Sequence, residues 1–154
     1  MDPAGPKCSC GSCGCLEAFA SDTATTNRYL EKIKAKDNSH LADSGKINVT
    51  TIIELAKNGH PHALDTVKET ARYLGLGLAP IIYAFNPDAI VIGGKVAEAW
   101  SLVEKEILDS CAKRVSAPFL GPTKILPSTL HVSPDLMGAI ALVLAKHFAA
   151  PEIV

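Results

Sequence analysis

Apolar side chains recur at helical spacing along most of the chain. Leu16, Phe19, Ala20, Thr23, Asn27, Leu30 and Ile33 lie near a 3.6-residue period, which predicts a helix from Leu16 to about Lys36. A polar stretch over 37–46 is expected to be a loop. A short helix is expected next through Ile52 and Leu55, capped by Thr50 or Thr51 and stopped by Asn58–Gly59.

The longest predicted helix opens at Pro61, a residue suited to a first helical turn, and runs to about Phe85. Gly75, Gly77 and Pro80 fall inside it, so close packing or a kink is expected there. Two more helices are predicted, from Val96 to about Val115 and from Asp135 to Phe148.

Short apolar runs between these helices predict strands. Ala89–Ile92, bounded by Gly93–Gly94, is typical of a fully buried strand, and Lys124–Pro127 and Thr129–Val132 are shorter candidates. The strand–helix–strand–helix order of this half indicates an α/β fold.

Composition restricts the function classes. The chain has 154 residues, which suits one domain, and 47% of them are hydrophobic. The formal net charge of −1 leaves no excess of positive charge to attract nucleic-acid phosphates, so no direct nucleic-acid contact is expected. No apolar run reaches the roughly 20 residues of a membrane span, and residues 1–7 have no apolar signal core. A cytoplasmic protein without membrane contact is expected.

The cysteines are concentrated near the start of the chain. Four of the five lie within residues 8–15, spaced by Gly11 and Gly14, and Cys111 stands alone. Thiolates are preferred ligands of tetrahedral zinc, and glycines let a short segment fold back on itself. Free cysteines in a mobile tail and a structural disulfide are the alternatives. A metal site in a reducing compartment explains the cluster better.

The segment Cys8-x-Cys10-Gly11-x-x-Gly14-Cys15-Leu16-Glu17 closely resembles the signature of the ROK family of sugar kinases and sugar-responsive repressors. The resemblance implies that Cys8, Cys10 and Cys15 are ligands of a structural zinc, whereas Cys13 occupies a variable position. The family's fourth ligand is a His about ten residues before the first Cys. Here the first histidine is His40, so the ligand set within this chain is incomplete.

Two further features match the family. Glu17 corresponds to a glutamate that accepts hydrogen bonds from sugar hydroxyls, although an acidic residue in a first helical turn also favours the helix dipole. Gly93–Gly94 resembles the glycine turn that contacts the nucleotide, although many α/β folds have such a turn without a ligand. Kinases often continue with a third glycine, where this chain has Lys95.

The resemblance implies a fold as well as a function. Residues 1–154 would form a single C-terminal ROK-type domain, part of an actin-like ATPase (ribonuclease H-like) lobe with an incomplete sheet and packed helices. The parent would be an ATP-dependent, glucokinase-like hexose kinase or, alternatively, a NagC/XylR-type repressor that responds to a hexose or amino-sugar. Lys95 and Ser21–Thr23 favour the regulator, because many kinases have glycines near these places.

Several kinase motifs are absent from the sequence: the Asp-x-Gly-x-Thr phosphate loop, the Asn-Asp pair with the catalytic base, the Gly-Thr-Gly-x-Gly segment and the Glu-x-Gly-His sugar motif. No catalytic residue is therefore assigned, and the chain alone is expected to be inactive as a kinase. A homo-oligomer is expected, with an interface at the sheet edge or at exposed helix residues, namely Leu74, Leu78, Ile81 and Ile82.

Overall fold

The computed structural model describes residues 1–36, 47–130 and 134–148. Its helices are α1 (Leu16–Ala20), α2 (Asp22–Lys36), α3 (Val49–Lys57), α4 (Pro61–Phe85), α5 (Trp100–Ala112), α6 (Ala117–Leu120) and α7 (Pro134–Phe148), and a 3-10 helix spans Lys95–Ala99. Its strands are β1 (Ala89–Ile92) and β2 (Lys124–Pro127). The predicted polar loop at 37–46, with His40, lies outside the described residues.

Helix α4 is the centre of the fold. Helices α1, α2, α3 and α5 all pack against it, and it contributes ten buried residues to the core. Gly75 makes the closest of these approaches, since a Cβ there would lie 2.4 Å from the Ile107 carbonyl oxygen of α5. Gly77 likewise leaves room for the Leu16 side chain of α1. The close packing predicted at both glycines is confirmed.

This central position corrects one expectation about the surface of α4. Leu78 and Ile82, predicted to lie exposed, are buried among the surrounding helices, whereas Ile81 is 38% exposed. Large apolar exposure is found at the end of α4, where Phe85 is 77% exposed, and on α7, where Leu142 is 74% exposed and Phe148 is 81% exposed. No helix in the described ranges combines the length and apolarity needed to cross a bilayer.

The two strands pair in parallel, with Ala89 opposite Lys124 and Ile92 opposite Pro127. The prediction that Ala89–Ile92 is fully buried is wrong for the described structure. Ile92 faces the core, but Val91 is 62% exposed because the helices cover one face of this two-stranded sheet. Thr129 and Leu130 form no strand, and the rest of that candidate, 131–133, is not described.

Three helix boundaries differ from the sequence expectation. The first predicted helix is two helices, because Ser21 has extended backbone angles and its hydroxyl accepts a hydrogen bond from the Ala24 N–H. Asn48, and not Thr50 or Thr51, caps α3 by accepting from the Thr51 N–H. The helix expected from Val96 opens as a 3-10 turn and becomes α-helical only at Trp100.

Candidate metal centre and ligand pockets

The cysteine segment folds back on itself before α1. Lys7 and Cys13 form an antiparallel bridge, and the Cys8 N–H donates to the Ser12 carbonyl at 2.8 Å. Gly11 and Gly14 take left-handed backbone angles, with φ of 89° and 67°. A side chain at Gly14 would also overlap the Asp2 carbonyl. The glycines of the signature are therefore required by the shape of this segment, which we call the cysteine loop (residues 7–15).

The cysteine loop brings three of its four sulfurs together. The Sγ atoms of Cys8, Cys10 and Cys15 all lie within 4.8 Å of one another, and those of Cys10 and Cys15 are 3.6 Å apart. Tetrahedral zinc with Zn–S bonds of ~2.3 Å holds its sulfurs about 3.8 Å apart. The donor set and its spacing thus fit a metal ion. Cys13 is outside this group, as the family pattern implies.

Hydrogen bonds polarise two of the clustered thiols in opposite directions. The pKa of Cys10 is lowered, first by the Ser12 backbone N–H and then by the thiols of Cys15 and Cys8. The pKa of Cys15 is raised to about 11, chiefly by its hydrogen bond with the Cys10 sulfur. The Cys10 sulfur is therefore the one whose thiolate form its neighbours favour.

Glu17, in the first turn of α1, is held by the start of the cysteine loop. The Ser9 hydroxyl donates to its Oε1 at 3.1 Å, and the Cys8 thiol donates to its Oε2 at 3.7 Å. The carboxylate lies in the wall of a pocket of about 250 Å³. Polar and small side chains complete the lining, namely Lys7, Ser9, Ser21, Thr23 and Asn27 with Ala18 and Ala24.

Arg28 of α2 fixes the far end of the helix that carries Glu17. Its guanidinium donates to the Phe19 carbonyl at 2.6 Å and to the Thr70 hydroxyl at 2.9 Å, and it lies over the Tyr73 ring. Its Nε also approaches Glu69 at 3.4 Å. Sequence reasoning missed Arg28, which lies in no recognisable motif, and Ser9, which occupies an unspecified position of the cysteine signature. Only the folded chain brings these two side chains to α1.

Gly93 and Gly94 lie apart from the cysteine loop, beside a second cavity of about 130 Å³. Its lining comes from α2, α3, α4 and the turn after β1, including Ile53, Val67 and Leu74. Gly94 has φ of 82°, which lets the chain turn sharply out of β1. The predicted glycine turn therefore does border a cavity, and no ligand is needed to explain the turn itself.

Two charged residues line this cavity. They are Asp22, at the first turn of α2, and Lys95. The Lys95 ammonium donates to Glu98 at 2.8 Å, and this bond raises the pKa of Lys95. The lysine is thus already paired with Glu98, and the nearby Asp22 carboxylate adds to the negative charge that acts on it.

Comparison with known proteins identifies the family. The family model described as "ROK family" matches residues 1–146. The chain is 31% identical over 148 residues to the xylose repressor of Bacillus spizizenii, covering 96% of this chain and 35% of the repressor.

Solved structures agree with that match. A ROK-family transcriptional regulator, a homologue of the Escherichia coli MLC protein, superposes with a TM-score of 0.76 at 33% identity, over 85% of this chain and 33% of that one. A ROK glucokinase from Streptomyces griseus, in complex with glucose and AMPPNP, superposes with a TM-score of 0.76 at 31% identity. The match covers 92% of this chain and 48% of the glucokinase. The chain spans about a third to a half of the length of these proteins. The α/β, actin-like fold class is confirmed, and the chain belongs to the ROK family.

Proposed function

We propose that this chain is the sugar-binding part of a ROK protein, in which Glu17 accepts hydrogen bonds from the hydroxyls of a hexose or amino-sugar. The observation that carries the proposal is the placement of the Glu17 carboxylate in the wall of a polar pocket, fixed by Ser9 and Cys8. A fixed carboxylate is a strong, directional acceptor for hydroxyl groups. The glucose named with the similar Streptomyces structure agrees with this ligand class.

The structural role of the metal follows from the same contacts. We propose that zinc binds Cys8, Cys10 and Cys15 and that its fourth ligand is not Cys13. A metal bound there would fix the loop whose Ser9 and Cys8 contact the Glu17 carboxylate. The zinc would thus order the sugar pocket and take no part in chemistry, which is the usual role of a thiolate-rich site.

Two activities of the larger protein are compatible with this part. ATP-dependent hexose phosphorylation is supported by the Gly93–Gly94 turn beside its cavity and by the glucokinase among the similar structures. Sugar-responsive repression is supported by the xylose repressor among the relatives. The charge at the cavity favours the repressor, because Asp22 would repel a nucleotide phosphate and Lys95 is already paired with Glu98.

Ligand-observed NMR tests both proposals on the full 154-residue chain. Glucose, xylose and N-acetylglucosamine are offered separately at millimolar concentration, and AMPPNP is offered with and without each sugar. We expect saturation transfer to at least one sugar and none to AMPPNP. A chain that binds none of the sugars contradicts the sugar-site proposal, and binding of AMPPNP favours the kinase over the repressor.

A further inference from the structure

Two of the clustered thiols lie close enough to react with each other. The Cys10 and Cys15 sulfurs are 3.6 Å apart, whereas a disulfide bond measures about 2.05 Å. Rotation of a cysteine side chain between rotamers moves its sulfur by more than the difference of about 1.5 Å. Gly11, between them in sequence, has open space around it, so the loop between the two cysteines can adjust.

Accessibility separates these two cysteines from the other members of the cluster. Cys10 is exposed and Cys15 is half-buried, so a small oxidant reaches them from solvent. Cys8 is buried, and its thiol is engaged with Glu17. Cys13 is exposed but lies outside the sulfur cluster. The exposed sulfur with a neighbour in reach is therefore that of Cys10, and its partner is Cys15.

We propose that Cys10 and Cys15 are a redox-active dithiol, and that the disulfide between them and a metal ion at the cysteine loop exclude each other. The exclusion follows because the same two sulfurs are donors in the proposed zinc site, and a disulfide sulfur is not a thiolate ligand. This second half rests on the proposed zinc site. The formation of the disulfide does not.

The oxidant that fits this exposed pair is hydrogen peroxide. The Cys10 sulfur attacks one peroxide oxygen, the O–O bond breaks, and a sulfenic acid and one water are formed. The Cys15 sulfur then attacks the Cys10 sulfur, the S–O bond breaks, and the hydroxyl leaves with the thiol proton as a second water. Two thiols and one peroxide thus give one disulfide and two waters. A dithiol reductant reverses the change by thiol–disulfide exchange.

The test uses the full chain, stripped of metal with a chelator and treated with one equivalent of peroxide. Intact mass is expected to fall by two hydrogens, and alkylation followed by peptide mapping is expected to place the cross-link at Cys10–Cys15. Cys10→Ser and Cys15→Ser abolish the mass loss. Cys13→Ser is the matched control, since Cys13 is also exposed in the same loop, and this variant is expected to retain the cross-link.

Zinc uptake by the same samples tests the exclusion. Oxidised chain is expected to take up no zinc, and dithiothreitol treatment is expected to restore uptake. A cross-link that maps to Cys13, or oxidation only to sulfinic and sulfonic acids, overturns the dithiol. Zinc uptake by oxidised chain overturns the exclusion. If the chain forms the cross-link but takes up no zinc when reduced, the zinc site and the exclusion are both overturned, and the dithiol stands.

Discussion

Ser9 and Glu17 are joined across the cysteine loop by a hydrogen bond of 3.1 Å from the serine hydroxyl to the glutamate Oε1. The bond connects the segment that carries the clustered cysteines to the helix that carries the proposed sugar acceptor. The orientation of the Glu17 carboxylate therefore depends on the shape of the loop. If metal and sugar bind as proposed, this contact and the neighbouring one from Cys8 would link the two sites physically.

Removing the Ser9 hydroxyl is expected to weaken sugar binding without unfolding the chain. Ser9→Ala leaves Glu17 held only by the longer contact from the Cys8 thiol. The loss of one exposed hydrogen bond to a charged group, ~1 kcal/mol, corresponds to roughly a fivefold increase in Kd. Calorimetric titration measures it. Ser12→Ala is the control, because the Ser12 side chain makes no hydrogen bond in the described structure. Equal effects of the two changes would contradict the positioning role.

Bound zinc is expected to depend on Cys8, Cys10 and Cys15 and to be nearly indifferent to Cys13. The first three sulfurs form one group, and each change to Ser removes a donor from it. Metal content after gel filtration, measured by mass spectrometry for each single variant, gives the comparison. A loss in Cys13→Ser as large as in the other three would indicate a four-sulfur site instead.

Gly75→Ala is expected to destabilise the chain by about 1–3 kcal/mol, because the new methyl group would press on the Ile107 carbonyl in α5. A backbone atom cannot move aside as a side chain can. Denaturant unfolding measures the change. Gly138→Ala, in helix α7, provides the matched control, since nothing lies within 4 Å of a Cβ there. A neutral Gly75→Ala would mean that α4 and α5 are not in close contact.

Lys32 makes the stability of the chain sensitive to acid. Its ammonium donates to Asp65 at 2.6 Å, and this bond lowers the pKa of Asp65. A carboxyl whose pKa is lowered on folding contributes stability above its ordinary pKa of about 4 and loses it as the pH falls through the folded value. Lys32→Gln should therefore show a shallower loss of stability below about pH 4 than the wild-type chain.

The acid effect is expected to be small, since the Asp65 side chain is 71% exposed and solvent screens the pair. Thermal unfolding midpoints at a series of pH values measure it. Lys34→Gln, an exposed lysine on the same helix, should keep the wild-type profile. If both variants follow the wild-type curve, the Lys32–Asp65 bond does not contribute to stability in solution.

Exposed apolar side chains support the prediction of a homo-oligomer, though not at the residues first expected. Leu78 and Ile82 are buried within the chain, whereas Leu142 and Phe148 of α7 are largely exposed. A helix that is apolar on several sides is stable in water only when it is covered. Light scattering at micromolar concentration is expected to give the mass of a dimer, and the mass of a single chain would contradict this.

The sequence was most informative where short-range chemistry decides the structure. Apolar runs bounded by glycine and proline predicted β1 and β2, and Pro61 marked the start of α4. The break at Ser21 was missed because one serine within a periodic pattern does not stop a helix by itself. Its capping bond to Ala24 appears only once the chain has turned.

The sequence indicated which cysteines would form the candidate metal site, but it did not indicate the contacts that join this site to the rest of the fold. The resemblance to the ROK signature indicated which three sulfurs would meet, and they do lie together. Other features of the site join segments only through the tertiary fold. These are the contact of Glu17 with Ser9, the contact of Arg28 with Phe19 and the cavity that Asp22 and Lys95 share. Such contacts leave no periodicity or spacing in a single sequence.

The sugar affinity of Glu17→Gln tests the central claim most directly. The substitution keeps the size of the side chain and removes the charge that makes it a strong acceptor. Glu54→Gln, an exposed glutamate on α3, is the matched control for lost charge. Calorimetry with the sugar that the wild-type chain binds is expected to show at least a tenfold loss of affinity for Glu17→Gln and wild-type affinity for Glu54→Gln. Equal affinity of Glu17→Gln and the wild-type chain would contradict the assignment of this pocket as the sugar site.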